Sequence, residues 1–140
     1  MSIRLIQKSL AALSLPLALL LCSCHPFETP GGLEGMWQVQ TVTDKNTGTI
    51  TDVQNPYYYC FQIELMTLDH RFITTFSIDS DSIRYEAFHP YSNNDDKRIV
   101  NLEEILPYDI ERAPGAFAMK RKGAHLTLET STKRLEFIKY

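Results

Sequence analysis

Apolar residues fall at every second position in run after run of this chain, and that period confines it to antiparallel sheet more tightly than any other feature. Trp37, Val39 and Thr41 share one side of a first strand, with Gln38 and Gln40 on the other. The alternation returns in Tyr57, Tyr59, Phe61, Ile63 and Leu65, then in Phe72, Thr74, Phe76 and Ile78, and again in Ile83, Tyr85 and Ala87. Residues 98–102, 116–120, 125–130 and 134–139 complete a set of about eight strands. Turn-forming clusters separate them: Asp44-Lys45-Asn46-Thr47-Gly48, Leu68-Asp69-His70, Asp79-Ser80-Asp81 and Ser92-Asn93-Asn94-Asp95-Asp96. The stretch 102–112 is the exception. Glu103 and Glu104 favour the start of one short helical turn, and Pro107 limits its length. The pattern predicts an all-β antiparallel up-and-down meander, closed as a barrel or flattened as a sandwich, and closure removes two long edge strands.

The first 33 residues have a different organisation. Arg4 and Lys8 precede a weakly polar to apolar stretch from Leu10 to Leu21, interrupted by Ser14 and Pro16. Its twelve residues are too few to span a bilayer, which takes about 20 in a helix. Leu21-Cys22-Ser23-Cys24 then has the form of a lipobox: a branched apolar residue, small residues before the cut, and a thiol to carry diacylglycerol. The expected organisation is a lipoprotein signal peptide over 1–23, a flexible tether over 24–33 and a domain over 34–140. Cys24 becomes the first residue of the mature chain, and diacylglycerol with an amide-linked chain such as palmitate exceeds the two signals that stable anchoring takes. His25, in place of an aspartate after the cysteine, favours the outer membrane; the face is left open.

Removal of 23 of the 140 residues leaves 117, enough for one compact domain with a single core. The signal carries Arg4 and Lys8 and no acidic residue, so all 17 acidic side chains but only 12 of the 14 basic ones are exported. A mildly acidic exported domain is a poor partner for nucleic acid, which requires clustered Lys and Arg. The one basic cluster, Lys120-Arg121-Lys122, precedes Gly123 and reads as a solvated hairpin turn. With Cys22 discarded and Cys24 acylated, Cys60 has no disulfide partner within the chain. Its place in the run 57–65 predicts a buried, unreactive thiol.

The sequence offers no catalytic motif: neither Gly-x-Ser-x-Gly, His-Glu-x-x-His, a Walker loop, Cys-x-x-Cys nor a dinucleotide glycine fingerprint is present. His25, His70, His89 and His125 lack metal-ligand spacing, and Asp79 and Asp81 lack the glycine and distal glutamate of a calcium loop. Glu103 and Glu104 point apart in helix or strand alike, which is poor geometry for an acid–base pair. No enzyme, cofactor or metal is therefore expected. Tyr57-Tyr58-Tyr59, Phe61, Tyr85, Phe88 and Tyr91 supply aromatics suited to cores and to recognition surfaces, with Tyr58 on the pleat opposite its neighbours.

Gly35-Met36-Trp37, opening the first strand, resembles the Gly-x-Trp signature of the lipocalin and calycin barrels, and the likeness covers residues 33–140. The resemblance implies an eight-stranded barrel in which Gly35 lets the chain turn into the strand and Trp37 plugs the closed end. It also implies a basic residue near the end of the last strand packed over the indole. Arg134 and Lys139 are the candidates, with Arg134 preferred for its planar guanidinium. The chain departs from ligand-carrying lipocalins in lacking an internal disulfide and a clear C-terminal helix.

The resulting expectation is a lipid-anchored envelope lipoprotein that binds a small apolar or glycan ligand at the barrel mouth, with Tyr57, Tyr59, Phe76 and Tyr85 as walls. The alternative is a protein-interaction module, an accessory subunit or hydrolase inhibitor, with a filled barrel. An open cavity favours the first, and a solid interior with an exposed apolar loop the second. Cys24→Ala is expected to abolish incorporation of labelled palmitate and to release the protein from the membrane fraction; retention of an unacylated variant there contradicts the anchor.

Overall fold

A computed structural model describes residues 30–92 and 96–140. The signal, Cys24 and the first part of the tether lie outside the described residues. Ten strands form one antiparallel sheet: β1 (Gly35–Asp44), β2 (Ile50–Asp52), β3 (Tyr58–Gln62), β4 (Leu65–Leu68), β5 (Phe72–Asp79), β6 (Ser82–Tyr85), β7 (His89–Pro90), β8 (Gly115–Lys122), β9 (His125–Glu129) and β10 (Lys133–Lys139). Eight of them run in the order β10-β9-β8-β6-β5-β4-β3-β1, and pairing of β10 with β1 closes the ring. The short β2 and β7 attach outside it, to β1 and β5.

The barrel is thus the all-β, eight-stranded up-and-down arrangement that the alternation predicts. Its interior is solid. Trp37, Tyr59, Phe61, Phe117 and Phe137 are each at most 2% exposed. Their rings interlock, with centroids 4.9 Å apart for Tyr59 and Phe137 and 5.1 Å for Phe61 and Phe76. Eight strands enclose a space that side chains of this size fill.

Several local expectations are corrected. The run 57–65 is two strands, because Ile63 takes a left-handed backbone (φ 55°) and turns the chain, so Leu65 opens β4 with its side chain exposed. A β-branched residue rarely adopts that conformation, which explains why no turn signal marks the site. Within β1 the register against β10 shifts between Val39 and Thr41. The shift reverses the inward side: Thr41 faces out and donates to Glu136 Oε2 at 2.7 Å, while Val42 packs on the core. Residues 98–102 form no strand, Phe88 takes the buried place expected of Ala87, and α1 (Leu102–Ile105) with a following 3-10 turn is the helical excursion. Cys60 lies between Met36 and Thr67 on the outer side, half-buried, with burial pushing its thiol pKa up.

The closed end is built by the residues preceding β1. Pro30–Gly32 form a 3-10 turn and Leu33 is fully buried, its carbonyl accepting from Trp37 Nε1 at 2.8 Å. Folded structure therefore begins ahead of residue 34, inside the segment expected to be tether. Lys139, not Arg134, lies over the indole, with Nζ 5.7 Å from the ring centroid. Trp37 pairs directly with Lys139, whereas Arg134 sits at the far end of β10, bonded to Glu129. Gly35 has φ 115°, and a Cβ there would lie 3.1 Å from Lys139 Cε. The glycine serves both the turn and the close passage of the lysine.

Because Trp37 fills this end, Trp37→Ala is expected to cost about 3–5 kcal/mol of unfolding free energy. Lys139→Met, which retains the stem over the indole, costs about 1 kcal/mol or less. Urea denaturation followed by circular dichroism measures both.

Candidate functional site

The opposite end of the barrel is stoppered by residues 96–112. Val100, Ile105, Tyr108 and Ile110 turn inward and are buried, while Arg98 holds the segment's outer side through a forked pair to Glu104, 3.0 and 3.1 Å. That pairing keeps the Glu104 carboxyl below its ordinary range, helped by the Asn101 backbone N–H. The stopper is fixed to the barrel by three tyrosine hydroxyls. Tyr59 donates to the Tyr108 carbonyl at 2.6 Å, Tyr85 to the Arg112 carbonyl at 2.7 Å, and Tyr57 to Asp109 Oδ2. Asp109 itself has a left-handed backbone (φ 59°) at the end of the 3-10 turn, which aims its carboxylate back at the rim.

The other oxygen of Asp109 accepts from Lys133 Nζ at 2.7 Å. The same ammonium lies 3.7 Å from Glu111 Oε1, and Thr132 donates to Glu111 Oε2 at 2.8 Å. Partial burial lowers the Lys133 pKa, but Asp109 and Glu111 outweigh it, and the net shift is upward. The tyrosines respond to the same enclosure. Burial, then the Asp109 hydrogen bond, raises Tyr57 well above the usual phenol range; burial does the same for Tyr59, and lifts Tyr85 to about 12.

These contacts relocate the expected site residues. Tyr59 and Phe76 are interior packing, and Tyr85 lies against Gly115, where an added Cβ would come within about 2.4 Å of the phenol oxygen. They do not wall an open mouth. Tyr57 borders an outer groove of about 680 Å³ between the β1–β2 hairpin and the stopper, while Tyr85 and Phe76 each edge a smaller hollow on the outer wall. Thr47, Thr49, Thr51, Asp52, Gln54 and Asn55 form one flank, and Tyr57, Pro107, Asp109 and Lys133 form the floor and far side. Sequence reasoning missed all of these except Tyr57. The alternating Thr47, Thr49 and Thr51 were the available signal, a polar strand beside a turn. Among the described residues no group of three or more His, Cys, Asp or Glu side chains is placed to hold a metal ion.

A closed eight-stranded meander with a Gly-x-Trp plug and a basic residue over the indole defines a lipocalin-like barrel. The profile of the lipocalin-like domain matches residues 19–140, and the chain belongs to that family. A lipocalin-like protein from Bacteroides uniformis ATCC 8492, solved by crystallography, superposes with a TM-score of 0.56 at 21% identity, over 79% of this chain and 100% of that one. At that identity the likeness concerns the fold. No curated protein matches significantly. The lipocalin-like fold supports a ligand-binding or binding-module role.

The buried phenols predict a steep alkaline limit. The native state keeps these protons to higher pH than the unfolded chain, whose tyrosines ionise near pH 10. Their contribution to stability is therefore full below about pH 10 and is lost as pH rises from there toward the folded Tyr85 value of about 12. Tyr85→Phe is expected to cost about 1 kcal/mol at neutral pH for the lost hydrogen bond, and to flatten the alkaline fall. Urea midpoints from pH 7 to 11 check both.

Proposed function

We propose that the protein is a lipid-anchored, non-catalytic envelope module, held in the outer membrane through Cys24, that binds a polar, hydroxyl-rich ligand of the glycan class in the groove beside its stoppered mouth. The observation that carries this reading is the division of space in the barrel. The described interior is packed with aromatic side chains, whereas the groove is open and of small-ligand size. Its threonine hydroxyls, carboxylates and amides offer paired donors and acceptors, and Pro107 supplies an apolar wall. Such a lining suits a sugar better than an acyl chain.

A second reading has its own observation. Ile99, Leu102 and Leu106 of the stopper are 67%, 45% and 45% exposed. A filled barrel with these apolar side chains at its mouth also suits a protein partner.

The acylated protein purified from its host is the material for native mass spectrometry. A carbohydrate mass that leaves on denaturation is expected, and Thr51→Arg, an exposed substitution that blocks the groove, reduces its occupancy about tenfold or more. Persistence of the adduct in that variant, or a bare mass for the unsubstituted protein, overturns the groove. A co-purifying polypeptide lost in Leu102→Asp but retained in Thr51→Arg establishes the second reading in its place.

A further inference from the structure

The two ends of the barrel differ in charge as well as in packing. At the closed end the chain arrives from its N-terminal side through Pro30–Leu33, and Gly32 lies against the Arg121 guanidinium, where an added Cβ would be 3.0 Å from a guanidinium nitrogen. Arg121 belongs to the β8–β9 hairpin, where Lys120 and Lys122 are also exposed. Across β9, Lys139 finishes β10 over Trp37, and Tyr140 follows it with 78% of its surface exposed, edge-on to Tyr58. Three cations thus sit on the β8–β9 hairpin and a fourth, Lys139, at the end of neighbouring β10, while the Tyr140 ring lies beyond β1 against β3. Of the acidic residues of the same end, Glu64 occupies the β3–β4 turn across it, whereas Asp79, paired with Arg84, and Asp81 occupy the β5–β6 turn beside β8, where the Asp81 carbonyl accepts from the Met119 N–H; Glu34 lies in the arriving segment.

Chain length places this rim near the bilayer. Five residues separate Cys24 from Pro30, and six virtual bonds reach at most about 20 Å. The mouth lies a further strand length away, about 25 Å for the eight residues of β8. Only the closed end is within easy reach of the surface to which an acyl group at Cys24 would be fixed.

We infer that the β8–β9 side of the closed end rests on anionic lipid headgroups, Lys120, Arg121, Lys122 and Lys139 facing the phosphates, with the stoppered mouth and its groove turned away from the membrane. The inference rests on acylation at Cys24, which supplies the proximity. The cations supply the orientation. The exposed basic triplet thereby acquires a role beyond keeping a hairpin in solution.

The test uses the full, acylated protein in phosphatidylethanolamine–phosphatidylglycerol vesicles that contain a headgroup-level quencher lipid. In a Cys60→Ser background, Ala124→Cys places a fluorophore in the β8–β9 turn, and Asn46→Cys places one in the β1–β2 turn at the mouth. Quenching at position 124 and little at position 46 is expected. Lys120→Glu with Lys122→Glu weakens the quenching about fivefold for each cation removed, as does replacing the phosphatidylglycerol with a zwitterionic lipid, while the protein still sediments with the vesicles. Equal quenching at the two positions, or quenching at 124 that ignores charge reversal and lipid charge, overturns the orientation and leaves the anchor standing. A protein mass without acyl chains, and failure to sediment, overturns the anchor and the orientation with it.

Discussion

Closure of β10 onto β1 is the contact on which the remaining architecture depends. It joins the last strand to the first over most of β1, from Trp37 opposite Lys139 to Asp44 opposite Lys133. No local interaction enforces it, since its partners are about a hundred residues apart and the cost of that loop is met only when the intervening strands are in place. Once made, it removes both long edges of the meander and fixes the enclosed volume. It also sets the two functional features of the ends in register: the lysine that covers the indole at one, and the lysine that grips Asp109 at the other.

A fixed volume lined by large aromatics imposes a chemical demand. Tyr57, Tyr59 and Tyr85 are buried in the core with their hydroxyls turned to the stopper. A buried hydroxyl without a partner costs about 1–3 kcal/mol. The stopper supplies an acceptor to each, as two backbone carbonyls and one carboxylate. Phenylalanine at the same three positions would fill the same space without holding the stopper in place. The mouth is thus closed by the chemistry of the tyrosines, and packing of Ile105, Tyr108 and Ile110 completes the seal.

The period-two pattern made the sheet and six of its eight barrel strands legible, because inward residues such as Phe72, Phe76, Leu126 and Leu128 obey it without interruption; the total of eight came out right because the two strands of 57–65 were read as one and 98–102, which forms none, was read as another. What the sequence concealed were the places where parity changes without a turn residue: the shift in β1 after Val39 and the left-handed Ile63. The cation over Trp37 was legible in part. Leu135, Phe137 and Lys139 share one side of β10, so parity alone points to Lys139 and places Arg134 on the outer side; preference for a planar guanidinium overrode that count. The groove proposed to bind was hidden for a different reason. Its residues come from β2, the 53–57 connection, the stopper and β10, and only barrel closure brings these together.

The groove follows from how β1 divides its partners. Over Gly35–Gln38 the strand pairs with β3, but over Thr41–Thr43 it pairs with β2, and the register shift lies between the two stretches. Between the bond from Val39 N–H to the Tyr57 carbonyl (3.1 Å) and that from Val53 N–H to the Gln40 carbonyl (3.0 Å), residues 54–56 leave the ladder and bridge from β2 to β3. Tyr57, which follows them, is drawn inward by Asp109, while Asp52 and Asn55 remain at the surface. A space opens beside this bridge, and its floor is the ion pair that fastens the stopper. On the proposed reading a ligand held there would contact Lys133 and Asp109, which would couple its binding to the stability of the mouth.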